Sequence, residues 1–373
     1  MSTSGEIRQK NELVKRRYWS WLKGPEQMSD ASIRLVEKAI GKYEEFSDYE
    51  DFVRFTDKRA EQFKRYLGTH ANERSGRPLG LKSRYYTLRH VRNFFAWLSS
   101  QPGYKSRVRP EYASYLKLSR GEQREALSAR LPSYPTLEQI RQLCSFPTFS
   151  ETDRRDRALI AFTSLTGMRD RAVVSLSIRC YDPAARLVKQ LPSLGVKTKF
   201  NKDIYTTLLP LDSTLTGYFT EWYEYLTREK HYGLDDPLFP STEIGQIGPD
   251  NYAYEAKGVS KAFWADAGSM RTIFRDRCKQ MRLPYFYPHT FRHFVTAETE
   301  KHITTPEQMK ALSQNLGHEH IATTYQAYGA IDPGRVNEIV RSIDFSGNAT
   351  SGGTNDLARQ IAAEMVRLQT TSK

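Results

Sequence analysis

Between Ser119 and Pro135 the chain turns polar, carries Arg120, Arg124 and Arg130, and closes on Leu-Pro-Ser-Tyr-Pro. A stretch with no apolar period and two prolines at its end does not run through a core, so it reads as a linker between two folding units. The 373 residues agree, since a chain this long exceeds one ordinary core. The expected division is a helical domain over 1–130 with its linker running to about 135, a second domain over 135–345, and a tail over 346–373.

The charge points to a partner. The formal net charge is +13, and the basic residues alternate with Tyr, Phe and Trp along the chain instead of forming one terminal block. That pattern favours nucleic acid over a membrane surface. The three cysteines, Cys144, Cys180 and Cys278, are far apart and form no C-x-x-C pair, which argues against a disulfide framework or a cysteine-based zinc site. The first ten residues lack the apolar run of a signal peptide. The longest apolar run, near Ala158–Leu165, is too short to span a bilayer. A cytoplasmic, nucleoid-associated protein acting on something large and anionic is the expectation.

The first part reads as helical. After Arg77-Pro-Leu-Gly80, the residues Leu88, Val91, Phe95 and Leu98 fall at helical spacing. Arg84, Arg89 and Arg92 interleave with them, and some of these are expected to contact phosphates. Gln101-Pro-Gly103 ends that helix. In the second part, Thr136 and Gln139 form a capping box, and Arg157–Leu165 reads as a buried helix stopped by Gly167. Arg186–Leu191 and Ile204–Pro210 alternate as strands of a small antiparallel sheet. Helices are expected over Leu215–Glu229 and Arg271–Met281, and from Thr305-Pro306 onward. The fold class is therefore α+β, mostly helical. In the tail, a Gly/Ser/Asn/Thr-rich stretch precedes Leu357–Leu368, an amphipathic helix for a partner subunit or its own domain.

The residues that carry chemistry are spread over the second part. In order they are Arg169, the lysines Lys197, Lys199 and Lys202, then His289 and Arg292, then His318, and finally Tyr325 and Tyr328. Two arginines, a lysine and two histidines suffice to surround one phosphate. Arginine donates a planar fork to two phosphate oxygens and stays charged. A tyrosine near such cations forms its phenolate at lower cost and attacks phosphorus, while a lysine delivers a proton to the leaving oxygen. His318 and His320 have no carboxylate or cysteine at a spacing suited to a metal, so neither metal nor cofactor is expected.

These segments resemble the tyrosine recombinase, or phage integrase, family. Thr166-Gly-Met-Arg169 matches the first-arginine box, and His289-Thr-Phe-Arg292 the His-x-x-Arg box, with His293 following. Leu316-Gly-His318 and Thr323-Thr324 match the boxes before the nucleophile. The resemblance covers the second part closely, and the basic helical part resembles the family's core-binding domain. It implies a two-domain clamp on double-stranded DNA and a tetramer synapsing two sites with strand exchange through a Holliday junction. It also implies a C-terminal segment docked on a neighbour, and service to a mobile element with accessory DNA-bending or partner recombinase proteins. Arg169 and Arg292 would clamp the scissile phosphate, His289 would act as general acid/base, and His318 would bond a phosphate oxygen. Lys199 is the first choice for the acid, with Lys197 and Lys202 open. Tyr328, ten residues past His318, is preferred as nucleophile over Tyr325; the commoner spacing of nine falls on Ala327. Ala172 stands where the family has an acidic residue. The competing expectations are a type IB topoisomerase-like enzyme and a catalytically inactive DNA-binding accessory factor.

Overall fold

A computed structural model of the protein describes residues 3–71, 76–128, 133–246, 254–303 and 306–318. The chain divides into two compact units, Met1–Ser128 and Ala129–Lys373.

The first unit is helical: α1 Ser4–Lys23, α2 Asp30–Phe46, α3 Asp57–Thr69, α4 Leu81–Leu98, the single turn α5 Pro110–Ala113, and α6 Arg120–Leu127. Thr3, Ser29, Thr56 and Ser119 each cap a helix start with a side-chain oxygen, satisfying amides that the helix itself leaves unpaired. The core is aromatic. Phe94 and Phe95 of α4 meet Tyr18, Tyr43 and Phe52, and the Phe55 and Phe95 rings stack with centroids 3.6 Å apart. The expected stripe of Leu88, Val91, Phe95 and Leu98 is buried there. The segment read as linker differs from expectation. Its first half is α6, opened by a Ser119–Glu122 capping box, packed on α4 and joined to it by an Arg84–Glu122 ion pair at 3.6 Å. With only Ala126 buried, this helix carries no apolar stripe for periodicity to detect.

The second unit is built around one helix. Its elements are α7 Leu137–Cys144, α8 Glu151–Thr166, the short α9 Asp170–Val173, β1 Tyr181–Asp182, β2 Leu187–Gln190, β3 Ile204–Thr207 and α10 Ser213–Glu224. They continue with β4 Thr242–Gln246, β5 Tyr254–Val259, α11 Gly268–Gln280, α12 Pro288–Glu300 and α13 Pro306–Asn315. From Ala158 to Thr166 every residue of α8 is buried, because α7, α10, α12 and β5 pack around it. Its hydroxyls survive that burial by bonding their own helix: Thr163 to the Leu159 carbonyl at 2.7 Å, Ser164 to Ile160 at 2.8 Å, and Thr166 to Phe162 at 2.8 Å.

The strands form an antiparallel sheet in the order β1-β2-β3, with Leu187 opposite Thr207 and Gln190 opposite Ile204. Val188, Gln190, Ile204 and Thr206 face inward, the alternation of a sheet with one face on a core. Two features go beyond the sequence expectation. A third strand, β1, is too short to show alternation. A β4–β5 hairpin, bulged at Glu243/Ile244, stands between α10 and α11. Among the described residues no helix is long and apolar enough to cross a membrane.

Candidate active site

α8 ends where the chain must turn sharply, and Gly167 makes the turn with φ of +58°. A Cβ there would lie 3.2 Å from Leu316, 3.3 Å from Val295 and 3.4 Å from the backbone of Arg292. Glycine thus serves two needs: the left-handed conformation and the close approach of α8, α12 and the turn after α13. Two residues on, Arg169 opens α9, its carbonyl accepting from the Ala172 and Val173 amides at 2.9 and 3.1 Å. Its side chain is half-buried, and burial pulls its pKa below the ordinary arginine value. Among the described residues no hydrogen-bond or ion-pair partner meets that guanidinium. The adjacent Asp170 turns away and pairs with Arg271 at 2.8 Å.

α12 starts at Pro288, whose fixed φ suits a first helical position. One turn in, Arg292 points inward and keeps only 5% of its surface exposed. Its guanidinium donates to the Gly167 carbonyl at 3.0 Å and to the Leu316 carbonyl. A single side chain therefore ties the turn after α8 to the turn after α13. His289 precedes it on the same helix, open on one side, with its ring edge-on to His293 at 5.2 Å. Partial burial, and then the charges of His293, Arg292 and Arg169, lower the His289 pKa to about 4. The ring is neutral at pH 7 and able to accept a proton.

His318 reaches the same place from α13. Gly317 before it has φ of +64°, and a Cβ at that position would lie 2.5 Å from Ile204 of β3. The His318 amide bonds the Ser313 carbonyl at 2.9 Å. Burial, then Arg292, Arg169 and His289, lower its pKa to about 3. Asn315 holds this turn against the sheet. Its side-chain oxygen accepts from the Thr207 amide at 2.7 Å, its amide nitrogen donates to the Thr207 carbonyl at 3.2 Å, and its backbone carbonyl accepts from the Thr206 hydroxyl at 2.7 Å. Gln190 of β2 in turn donates to that hydroxyl at 2.6 Å. Sequence reasoning missed Asn315 and Gln190. An asparagine satisfying both backbone groups of an edge-strand residue carries no signature in local pattern.

The three candidate lysines lie in the β2–β3 connection. Lys199 heads a tight turn over Lys199–Asn201 and is exposed. Lys197 is anchored instead: its amide donates to Ser175 Oγ at 2.9 Å, close after α9. Tyr325, Tyr328, Thr323, Thr324 and the helix expected at Leu357–Leu368 lie outside the described residues. The structure thus groups Arg169, Arg292, His289 and His318, with the lysine loop anchored at its margin. Within the described residues no group of three or more His, Cys, Asp or Glu is placed to hold a metal ion.

The surroundings of this cluster can be compared with known proteins. Residues 134–335 match the model of the phage integrase family. The chain is 25% identical over 255 residues to tyrosine recombinase XerC of Actinobacillus pleuropneumoniae serotype 7 (strain AP76), covering 68% of this chain and 69% of that protein. In fold it is similar to a lambda integrase dimer bound to a COC′ core site, at 14% identity and a TM-score of 0.58, covering 87% of this chain and 96% of the other. It is also similar to the Tn1549 transposon integrase in complex with circular intermediate DNA, at 14% identity and a TM-score of 0.56, covering 88% and 98%. With its cluster built on the matched segment, and that match covering more than half of its length, the chain belongs to the phage integrase family.

Proposed function

We propose that this protein is a site-specific DNA recombinase that cuts and rejoins strands through a 3′-phosphotyrosyl intermediate. The observation that carries the reading is the pair of arginines beside two neutral histidines. Arg169 is half-buried with no partner among the described residues, and Arg292 is locked to two backbone carbonyls beside it. A half-buried cation of this kind is a site awaiting an anion, and a phosphodiester supplies one.

In the proposed reaction the Tyr328 oxygen attacks phosphorus in line, and the bond to the 5′-oxygen breaks. His289, neutral at pH 7, takes the tyrosine proton, and a loop lysine gives a proton to the departing oxygen. Arg169 and Arg292 hold the non-bridging oxygens, while His318 donates to one of them. Rejoining is the reverse, with a 5′-hydroxyl attacking the phosphotyrosine. The linkage keeps the energy of the broken bond, so no nucleotide is consumed. Lys199 remains the first candidate acid because it heads the turn; the Ser175 anchor makes Lys197 the second reading.

Structures of similar fold, bound to a core site and to circular intermediate DNA, support double-stranded DNA as substrate. A transposon integrase among them supports service to a mobile element. We propose further that 1–130 forms the core-binding domain and 135–345 the catalytic domain. Four copies would synapse two sites, and the tail over 346–373 would dock on a neighbour. Cytoplasmic placement follows from that substrate.

The test is a nicked suicide duplex carrying the protein's site, incubated with EDTA. A covalent protein–DNA band should form with the unaltered protein and vanish with Tyr328→Phe alone. Loss only with Tyr325→Phe would move the nucleophile, and no band on a site bound tightly would favour the inactive accessory factor. Relaxation of plasmids lacking any site would favour the topoisomerase reading. A 5′-bridging sulfur in place of the leaving oxygen needs no proton. It should restore cleavage to the one variant among Lys197→Ala, Lys199→Ala and Lys202→Ala that has lost the acid.

A further inference from the structure

The β2–β3 loop carries a feature that the phosphate chemistry leaves unused. At its tip, Phe200 has φ of +61° and Asn201 φ of +55°. Two consecutive non-glycine residues in the left-handed region cost free energy, and for a bulky aromatic the conformation is an outlier. The result of that backbone is a phenyl ring 72% exposed to solvent. Lys199 Nζ lies 4.7 Å from the ring centroid and Lys202 Nζ 6.0 Å. The tip thus presents one apolar plate with two ammonium groups close to its ring. Both ends of the loop are anchored beside the cluster. On one side Lys197 bonds Ser175, just after the helix that Arg169 opens. On the other, Ile204 packs under Gly317, next to His318.

Resting on the recombinase reading, we propose that Phe200 is a wedge: it enters the duplex at the base step beside the scissile phosphate and stacks on the base it uncovers. The chemistry fits that occupant. Every base offers a π-face, so an aromatic plate stacks without hydrogen-bond readout, and apolar side chains between base steps unstack and kink duplexes. The flanking lysines would sit on the phosphates either side of the opened step. Opening the step would bend the scissile phosphate toward Arg169 and Arg292 and favour steps that unstack easily. Phe200 would then be a positioning residue, acting on the DNA and not on the reacting atoms.

The experiment uses the full-length protein and the suicide duplex, with 2-aminopurine placed at each position flanking the cut. The unaltered protein should raise fluorescence at one step on binding. Phe200→Ala should bind but leave fluorescence flat, and it should cleave intact duplex more slowly by on the order of tenfold to a hundredfold, the usual effect of losing one base–aromatic stack. A mismatch at that step, which removes the need for a wedge, should restore cleavage to within about twofold, and Phe200→Trp should keep both signals. Cleavage of intact duplex by Phe200→Ala at the unaltered rate would overturn the proposal. So would a defect that the mismatch leaves in place, since a merely structural role gives that result. Failure of the recombinase reading itself looks different, because the unaltered protein would then leave no covalent band on any of these duplexes.

Discussion

Arg169 and Arg292 are the same side chain within one cluster, yet the protein treats them oppositely. Arg292 is sunk between α8 and α13 and gives two of its N–H donors to the Gly167 and Leu316 carbonyls. Arg169 caps a four-residue helix, is half-buried, and meets no partner among the described residues. The first is a structural cross-link as well as a charge; the second is chiefly a charge held ready. The contrast teaches how a preorganised site for the proposed phosphate would be assembled. One cation is fixed by the backbone that it also fixes, and burial, then the field of that cation and its neighbours, depresses the nearby histidines.

The widest separation should come from deleting each arginine. Arg292→Ala removes the donor from two buried carbonyls, so the second unit should lose roughly 2–4 kcal/mol of stability as well as all measurable cleavage, read by denaturant melts and the covalent-band assay. Arg169→Ala should cost cleavage a factor of about a hundred to a thousand while leaving the denaturation midpoint close to unaltered. Equal destabilisation by the two variants would erase the distinction. Asn315→Leu comes next. Losing both of its bonds to Thr207 should cost about 1–2 kcal/mol and slow cleavage through a displaced His318, with DNA affinity little changed. A drop in affinity as large as the drop in cleavage rate would show that the clamp shapes the DNA surface instead.

The last separation is in pH. The folded-state pKa of His318 is about 3, below the ordinary histidine value of 6.5, so its sign is that of a group whose protonation opposes folding. From pH 6.5 downward the unfolded chain binds protons that the folded chain refuses, and stability falls toward pH 3; above 6.5 the residue contributes no slope. His289, shifted to about 4, acts in the same direction. A melting series from pH 7.5 to 4.5 should slope less for His318→Asn than for the unaltered protein. Identical slopes would mean that the ring is neither buried nor held beside the two arginines.

Much of the candidate site was legible because its residue types are chemically unusual in combination. Arg169, His289, Arg292 and His318 could be picked out by what a phosphate needs, and Gly167 by where a buried helix must stop. The short β1, the β4–β5 hairpin and the helix within Ser119–Pro135 were not. Two residues are too few to alternate, a hairpin with a bulge breaks the period of two, and α6 owes its existence to a cap and an ion pair, not to an apolar stripe.

The sequence by itself determined the chemistry on offer and the order in which the chain supplies it, since side-chain type sets charge, basicity and nucleophilicity without reference to fold. It also determined the helical cores, because burial follows apolar spacing. Only the tertiary structure decided which arginine is locked and which stands open, and that Asn315 pins the His318 turn to β3. It alone raised Phe200 on a strained turn between two lysines. Each of these depends on backbone groups brought together from distant parts of the chain, and a carbonyl or amide has the same identity in every residue until the fold gives it a neighbour.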